Sequence, residues 1–319
     1  MPTSSSSSIA VSTIGVSPNL QRFFDKKLLS RLIPKLVHVQ DGYVRSIPSG
    51  NGKQISFRRR NRIIPTSGAS ALLSEGVTPL ALTPSTDEIL ATVLQYGGWI
   101  DATDVADAIA YDDLMAADLE DLGDFNGEVL DIVVRDAINI GTNVLYANGR
   151  TSRVTVAAGD VLTDVEFKKA SSLMANLNVP TFADGFWHCI IPSLARYDVM
   201  GTDGWKFPGY YQDAARIQQA KIEELYKIKI MDTSLATTFA AAGAAGINVY
   251  GTLVYGPQSY GTVNIAKLDQ KTIVKPIGDS GSADPLNQRG SRGTKASMVG
   301  KILDQSKILR IEHALSYAG

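Results

Sequence analysis

The sequence predicts an α+β chain on three observations: one very long amphipathic helix, an early pair of extended runs joined by turn residues, and a later section where strand and helix patterns alternate. The helix covers residues 111–147, a stretch without proline in which apolar side chains recur three or four apart. Met115, Leu119, Leu122, Phe125, Val129, Ile132, Val133, Ile140 and Val144 share one stripe, and Asp113, Glu120, Asp124 and Asp131 lie opposite. At 1.5 Å per residue such a helix reaches roughly 50 Å. One core of this size does not cover it, so part of the stripe is expected to meet another segment or another subunit.

The elements follow in order. Residues 1–18 are rich in Ser and Thr and carry no charge, which predicts an arm that orders only when a partner holds it. A short helix is expected from Arg22 to Val39, stopped by Pro34, and strand chemistry from Val37 to Ile47 before Pro48. Gly50-Asn51-Gly52-Lys53 is a hairpin turn. Residues 54–64 make one extended limb, 90–102 the returning one, and the polar, proline-punctuated stretch 65–87 its tip. After the helix, Asn148-Gly149 supplies a stop and 153–157 a short strand. Residues 164–177 read as helix, 186–191 as a buried strand ended by Pro192, 217–226 as helix and 228–231 as strand. A flexible loop at 240–246 precedes an inner strand at 247–255, and a polar loop at 278–293 precedes closing strands at 295–303 and 307–314.

Composition narrows the function. In 319 residues, 31 basic side chains against 32 acidic ones leave a net charge of −1, so bulk attraction to nucleic acid or an anionic membrane is absent and any such contact must be local. The single cysteine, Cys189, excludes an intrachain disulfide, and neither a signal peptide nor an uncharged stretch of membrane-spanning length is legible.

Catalytic signals are weak. Gly278-Asp279-Ser280-Gly281 and His188-Cys189 echo trypsin-like proteases, but those enzymes pair that cysteine in a disulfide and hold the serine rigidly. A serine hydrolase using Ser280 is therefore the distant alternative. His38, His188 and His313 have no second ligand at useful spacing, so neither a metal nor a cofactor is expected. Asp118 and Asp136 project toward the apolar stripe and call for basic partners, from this chain or a neighbour. Arg58-Arg59-Arg60-Asn61-Arg62 is the dense basic cluster, and in an extended limb Arg58, Arg60 and Arg62 share one face. Without stacking aromatics between them, pairing with acidic residues of an adjacent subunit is favoured over nucleic acid.

The order of parts resembles a tailed-phage major capsid protein. The runs Phe24-Asp25-Lys26-Lys27-Leu28-Leu29, Gly50-Asn51-Gly52-Lys53, Glu75-Gly76-Val77-Thr78-Pro79, Gln95-Tyr96-Gly97, Tyr250-Gly251-Thr252-Leu253-Val254-Tyr255-Gly256 and Asp284-Pro285-Leu286-Asn287-Gln288-Arg289-Gly290 are similar to the family typified by coliphage N-four. That resemblance implies the Hong Kong ninety-seven-type capsid fold. It places an N-terminal arm and short helix at 1–43, the extended E-loop hairpin at 44–99, and a peripheral domain with the spine helix at 100–180. An axial domain at 181–293 and C-terminal strands at 294–319 returning to the peripheral domain complete it. It further implies a non-enzymatic protein that assembles with itself into pentamers and hexamers around double-stranded DNA. Portal, a separate scaffolding protein and decoration proteins would be partners, DNA contact would be weak, and membrane is not involved. The chain would reside in the virion, and in the host cytoplasm during assembly. The subunit interface would use Arg58, Arg59, Arg60, Arg62 and Trp99 against Asp113, Asp118, Glu120, Asp124 and Glu128. An encapsulin-like compartment is the alternative within the same architecture.

Overall fold

A computed structural model describes residues 34, 36–65, 67–79, 81–109, 114–203, 224–279 and 284–317. The first half holds β1 (Tyr43–Ile47), β2 (Gln54–Arg60), β3 (Thr86–Thr92), β4 (Leu94–Thr103), α1 (Asp104–Ile109), α2 (Leu114–Ile138), β5 (Val144–Tyr146) and α3 (Asp164–Asn176). The second holds β6 (Trp187–Pro192), α4 (Arg196–Met200), β7 (Glu224–Leu225), β8 (Ile228–Thr233), β9 (Thr238–Phe239), β10 (Val249–Tyr255), β11 (Tyr260–Ile265), β12 (Gln270–Lys275), β13 (Arg289–Ile302) and β14 (Ile308–His313). The mixed α+β class expected from the sequence is the one observed.

Three sheets organise these strands. The limb is a two-stranded ladder of β2 and β3, antiparallel, with Arg58 opposite Glu88 and Arg59 opposite Asp87. Gly50 and Gly52 sit at φ +94° and +77°, which lets the chain reverse before β2. A five-stranded body sheet runs β1-β11-β13-β12, and β4 pairs with β13 along its whole 10-residue length. The remaining sheet has seven strands in the order β5-β14-β10-β6-β8-β7, with β9 added on β10. Its middle strands, β6, β10 and β14, are buried almost throughout, as their runs of Val, Ile, Leu and Tyr require. Phe167, Met174, Trp187, Ile191, Ile228, Leu309 and Ile311 form the main core between α3 and this sheet.

The helix α2 packs across β13. A methyl group on Gly300 would lie 3.0 Å from Ala137 Cβ, so glycine is what lets strand and helix approach. Three expectations about this helix are corrected. It ends at Ile138, which makes it 25 residues and about 37 Å long. The chain then turns through Gly141 so that β5 can pair in parallel with β14. Asp131 points inward: its carboxylate accepts from the backbone N–H of His38 (2.8 Å) and faces His38 Nδ1 at 2.6 Å, both residues fully buried. Ile140, past the helix end, is 76% exposed, and Phe125 keeps 46% exposed while lying over Gly98. The start expected at 111–113 lies outside the described residues.

Other differences are local. Residues 153–155 form a turn of 3-10 helix because the Arg153 guanidinium is drawn to Glu312 in the sheet. The returning limb divides at Val93, whose N–H donates to the Lys53 carbonyl and whose side chain packs with Ile47 and Val263. The paired limb is therefore residues 54–92, inside the expected 44–99, and β4 belongs to the body. Two strands, β11 and β12, were not expected, and β13 begins inside the supposed loop at 278–293. The helices expected at 22–39 and 217–226 fall mostly outside the described residues. Of the latter, Glu224–Leu225 pairs with β8 as a strand.

The helix C-terminus and two arginines form one network around the buried Glu312. Arg310 donates to the Asn139 carbonyl and, at 3.1 Å, to the Gly141 carbonyl, which satisfies orphan acceptors where the helix dipole favours a cation. Glu312 Oε1 accepts from Arg310 Nε at 2.8 Å and from Arg153 Nη2 at 2.6 Å, and Oε2 from Arg153 Nε at 2.8 Å. The Arg153 guanidinium also lies 3.5 Å over the Phe239 ring.

Candidate subunit interface

The limb has one covered face and one bare face. In β2, Ile55, Phe57 and Arg59 are half-buried toward the body, and Gln54, Ser56, Arg58 and Arg60 are exposed. Alternation along the strand dictates this division. Arg59 is engaged within the chain, by Asp87 at 2.9 Å and Asp304 at 3.0 Å. Arg58, Arg60 and Arg62 are exposed. Beyond the ladder, the tip at 61–85 carries Ile64, Leu72, Leu73, Val77 and Leu82, each at least 65% exposed. Single exposed apolar residues are ordinary, but five on one limb are the kind of surface that contact with another molecule would bury. They were not singled out from the sequence, where proline and serine between them gave the tip a polar look.

Trp99 stands on the outer face of β4, 68% exposed, opposite Gly293. It is in the body sheet rather than on the paired limb. On α2, Glu120 is exposed and Asp124 and Glu128 are half-buried. Asp113 lies outside the described residues. Asp118 finds its basic partner inside the chain, Arg292 Nη1 at 2.6 Å, and Asp136 is held by its neighbour Arg135 at 2.8 Å.

The residues weighed for catalysis sit apart from this surface. Ser280 lies outside the described residues, and Cys189 is fully buried, which pushes its thiol pKa up. His188 is stacked on Phe182 with centroids 4.0 Å apart, its Nδ1 2.7 Å from Asp41 and its Nε2 3.0 Å from Asp184. Lys229 also reaches Asp184, at 3.2 Å, and the Tyr255 hydroxyl donates to Asp41 at 2.8 Å. Burial works against the imidazolium, but the two carboxylates outweigh it and raise the His188 pKa above 6.5. Asp184 is held at about 2, chiefly by its hydrogen bond to His188. Burial opposes the charge of Asp41, yet His188 and Tyr255 lower its pKa below 3.8. This cluster joins the turn before β1 to two middle strands of the seven-stranded sheet, β6 and β10.

Its linkage to pH has two arms. The histidine contribution is complete below 6.5, the value of an unfolded histidine, and is lost as pH rises through the higher folded value. The aspartate contributions are complete above 3.8 and are lost as pH falls toward about 2. Stability from the cluster should therefore be greatest between roughly pH 4 and 6.5. Denaturant melts of His188→Gln against the parent test this: the difference in unfolding free energy should shrink as pH rises above neutrality. A difference constant from pH 5 to 9 refutes it.

No family model matches the chain, and no curated protein does either. Solved structures do. The capsid structure of cyanophage P-SCSP1u is similar over 93% of this chain and 94% of its own, with TM-score 0.72 and 16% identity. The cyanophage Pam1 capsid asymmetric unit covers 98% and 100%, at TM-score 0.71 and 12% identity. The capsid of Ralstonia phage GP4 covers 99% and 100%, at TM-score 0.70 and 14% identity. Agreement over whole lengths at such low identity shows the fold: this chain is built as phage capsid chains are. It is the Hong Kong ninety-seven-type fold that the sequence runs implied.

Proposed function

We propose that this chain is a tailed-phage major capsid protein, assembling with itself into pentamers and hexamers of an icosahedral shell that encloses double-stranded DNA. The observation that carries the reading is the limb, whose tip displays apolar side chains that its own body leaves bare. Function then resides in interfaces rather than in a catalytic pocket. Residues 44–99 would act as the E-loop with its root, 100–180 as the peripheral domain, and 181–293 as the axial domain. Portal and scaffolding proteins would be further partners, and the near-neutral chain would touch packaged DNA weakly.

In the proposed contact the limb lies over an adjacent subunit. Arg58, Arg60 and Arg62 face its spine helix, where Asp113, Glu120, Asp124 and Glu128 supply opposite charge, and Trp99 seats against the same surface. Electron microscopy of the purified protein tests the shell directly, with closed particles as the expected result. Arg60→Glu tests the contact. Its exposed position predicts a change of folding stability within about 0.5 kcal/mol, together with loss of particles at concentrations where the parent assembles. Particle yields equal to the parent's would overturn the assignment.

A further inference from the structure

Asparagine followed by glycine occurs three times in this chain, at 51–52, 126–127 and 148–149. Such a pair carries its own chemistry. When the asparagine side chain turns toward the next residue, the glycine backbone nitrogen attacks Cγ and a C–N bond forms. The bond from Cγ to Nδ2 breaks, and ammonia leaves with the proton that the glycine N–H gave up. Water then opens the succinimide ring at one of its two carbonyls. The product is aspartate, or isoaspartate, in which the main chain runs through Cβ and Cγ. Water is the one co-reactant. Glycine permits the attack because it has no Cβ to block the approach of its nitrogen.

The fold separates the three pairs. Asn126 is fully buried within α2, where the Gly127 N–H belongs to the helix ladder and a Cβ on Gly127 would lie 3.0 Å from Leu36. Ring closure there would break the helix and water does not reach it. Asn148 is tied at both ends: its N–H donates to Glu166 Oε1 at 3.2 Å, and its Nδ2 to Asp160 Oδ1 at 2.8 Å. Turning its Cγ toward Gly149 would take the donor away from Asp160, a buried carboxylate.

Asn51 meets neither obstacle. It is exposed in the turn between β1 and β2, and among the described residues its side-chain amide has no hydrogen-bond partner. The turn is closed by the Asn51 N–H, which donates to the Pro48 carbonyl at 3.3 Å and leaves the Gly52 N–H outside that bond. A Cβ on Gly50 or Gly52 would meet no atom within 4 Å, so nothing crowds a five-membered ring. Lys53, exposed one residue on, favours the anion that the Gly52 nitrogen becomes as its proton leaves.

We propose that the Asn51–Gly52 bond is a self-modifying site, converting with time to isoaspartate and aspartate while Asn126 and Asn148 stay intact, and that the conversion loosens the root of the limb. The inference stands on the single chain and does not need the shell. Residues 48–53 are one of the two crossings between body and limb, and Val93 is the other. The crossings are joined by the Val93 N–H, which donates to the Lys53 carbonyl at 2.9 Å. Isoaspartate at 51 inserts an extra main-chain carbon two residues before that carbonyl, and either product adds a negative charge to the turn.

Peptide mass spectrometry of the purified full chain, stored warm in neutral buffer, tests it, with isoaspartyl methyltransferase labelling to count the isomer. The peptide containing Asn51 should gain the mass of an amide exchanged for a carboxyl, and accept methyl groups, at least tenfold faster than those containing Asn126 or Asn148. In urea the three should convert at comparable rates, because the fold and not the dipeptide makes the selection. Amide exchange at Val93 should quicken in the converted parent and stay unchanged in Asn51→Gln stored alongside it. Conversion at Asn148 as fast as at Asn51, a preference for Asn51 that survives in urea, or unaltered exchange at Val93 in the converted chain would each overturn the proposal.

Discussion

Replacing Glu312 by Gln is expected to lower the unfolding free energy by about 3–5 kcal/mol, the usual consequence of removing one partner from a buried charged set. The carboxylate is fully buried and is the shared acceptor for Arg153 and Arg310. An amide would turn donor hydrogens toward at least one guanidinium. Arg310 is itself buried and cannot move into water, because its other donors hold the carbonyls of Asn139 and Gly141. Arg153 is about a third exposed, so Arg153→Met should cost less, about 1–2 kcal/mol. Urea melts with unchanged slope are the measurement. A loss below 1 kcal/mol for Glu312→Gln would mean that the network is not the clamp between helix and sheet described above.

Asp131→Ala should be nearly as severe, at about 3 kcal/mol or more. It strips the acceptor from two backbone N–H groups, those of His38 and Val39, and from the His38 imidazole, in a site with no access to water. Asp131→Asn keeps one oxygen for the backbone and should cost about half as much. Because the His38 carbonyl also accepts from the Tyr260 hydroxyl, at 2.8 Å, both variants should quicken hydrogen exchange in the turn at 38–41 before they affect β6. Uniform exchange across the chain would show that the turn has no separate stability.

These two carboxylates also mark where sequence reading stops. Asp131 falls on the polar side of the helix by spacing alone, and nothing local announces a histidine 93 residues away. Spacing succeeded where an element is defined by its own residues. The helix at 164–176 begins with Thr163 and Glu166 in a reciprocal cap, β10 is a run rich in β-branched and aromatic residues, and β6 and β14 each carry two buried isoleucines. It failed where the neighbour decides. Val144 keeps the apolar spacing of the long helix, yet it is claimed by β14, and the helix ends at Ile138. The strand β12 is exposed almost throughout and mostly polar, so it pairs through its backbone with little trace in its side chains. For the interface, the Arg cluster was legible as a strand face. The bare leucines of the tip needed three dimensions, since exposure is set by where the limb lies and not by local spacing.

The ladder between β4 and β13 has a mechanical consequence. Ten consecutive residues of β4 are bonded to Arg289–Met298, and the limb joins the body at the Leu94 end of this seam. Tension applied along the strand loads every rung at once, in shear, whereas a sideways pull parts them singly like a zipper. If the proposed shell forms, swelling under internal pressure would therefore be tolerated far better along this direction than across it.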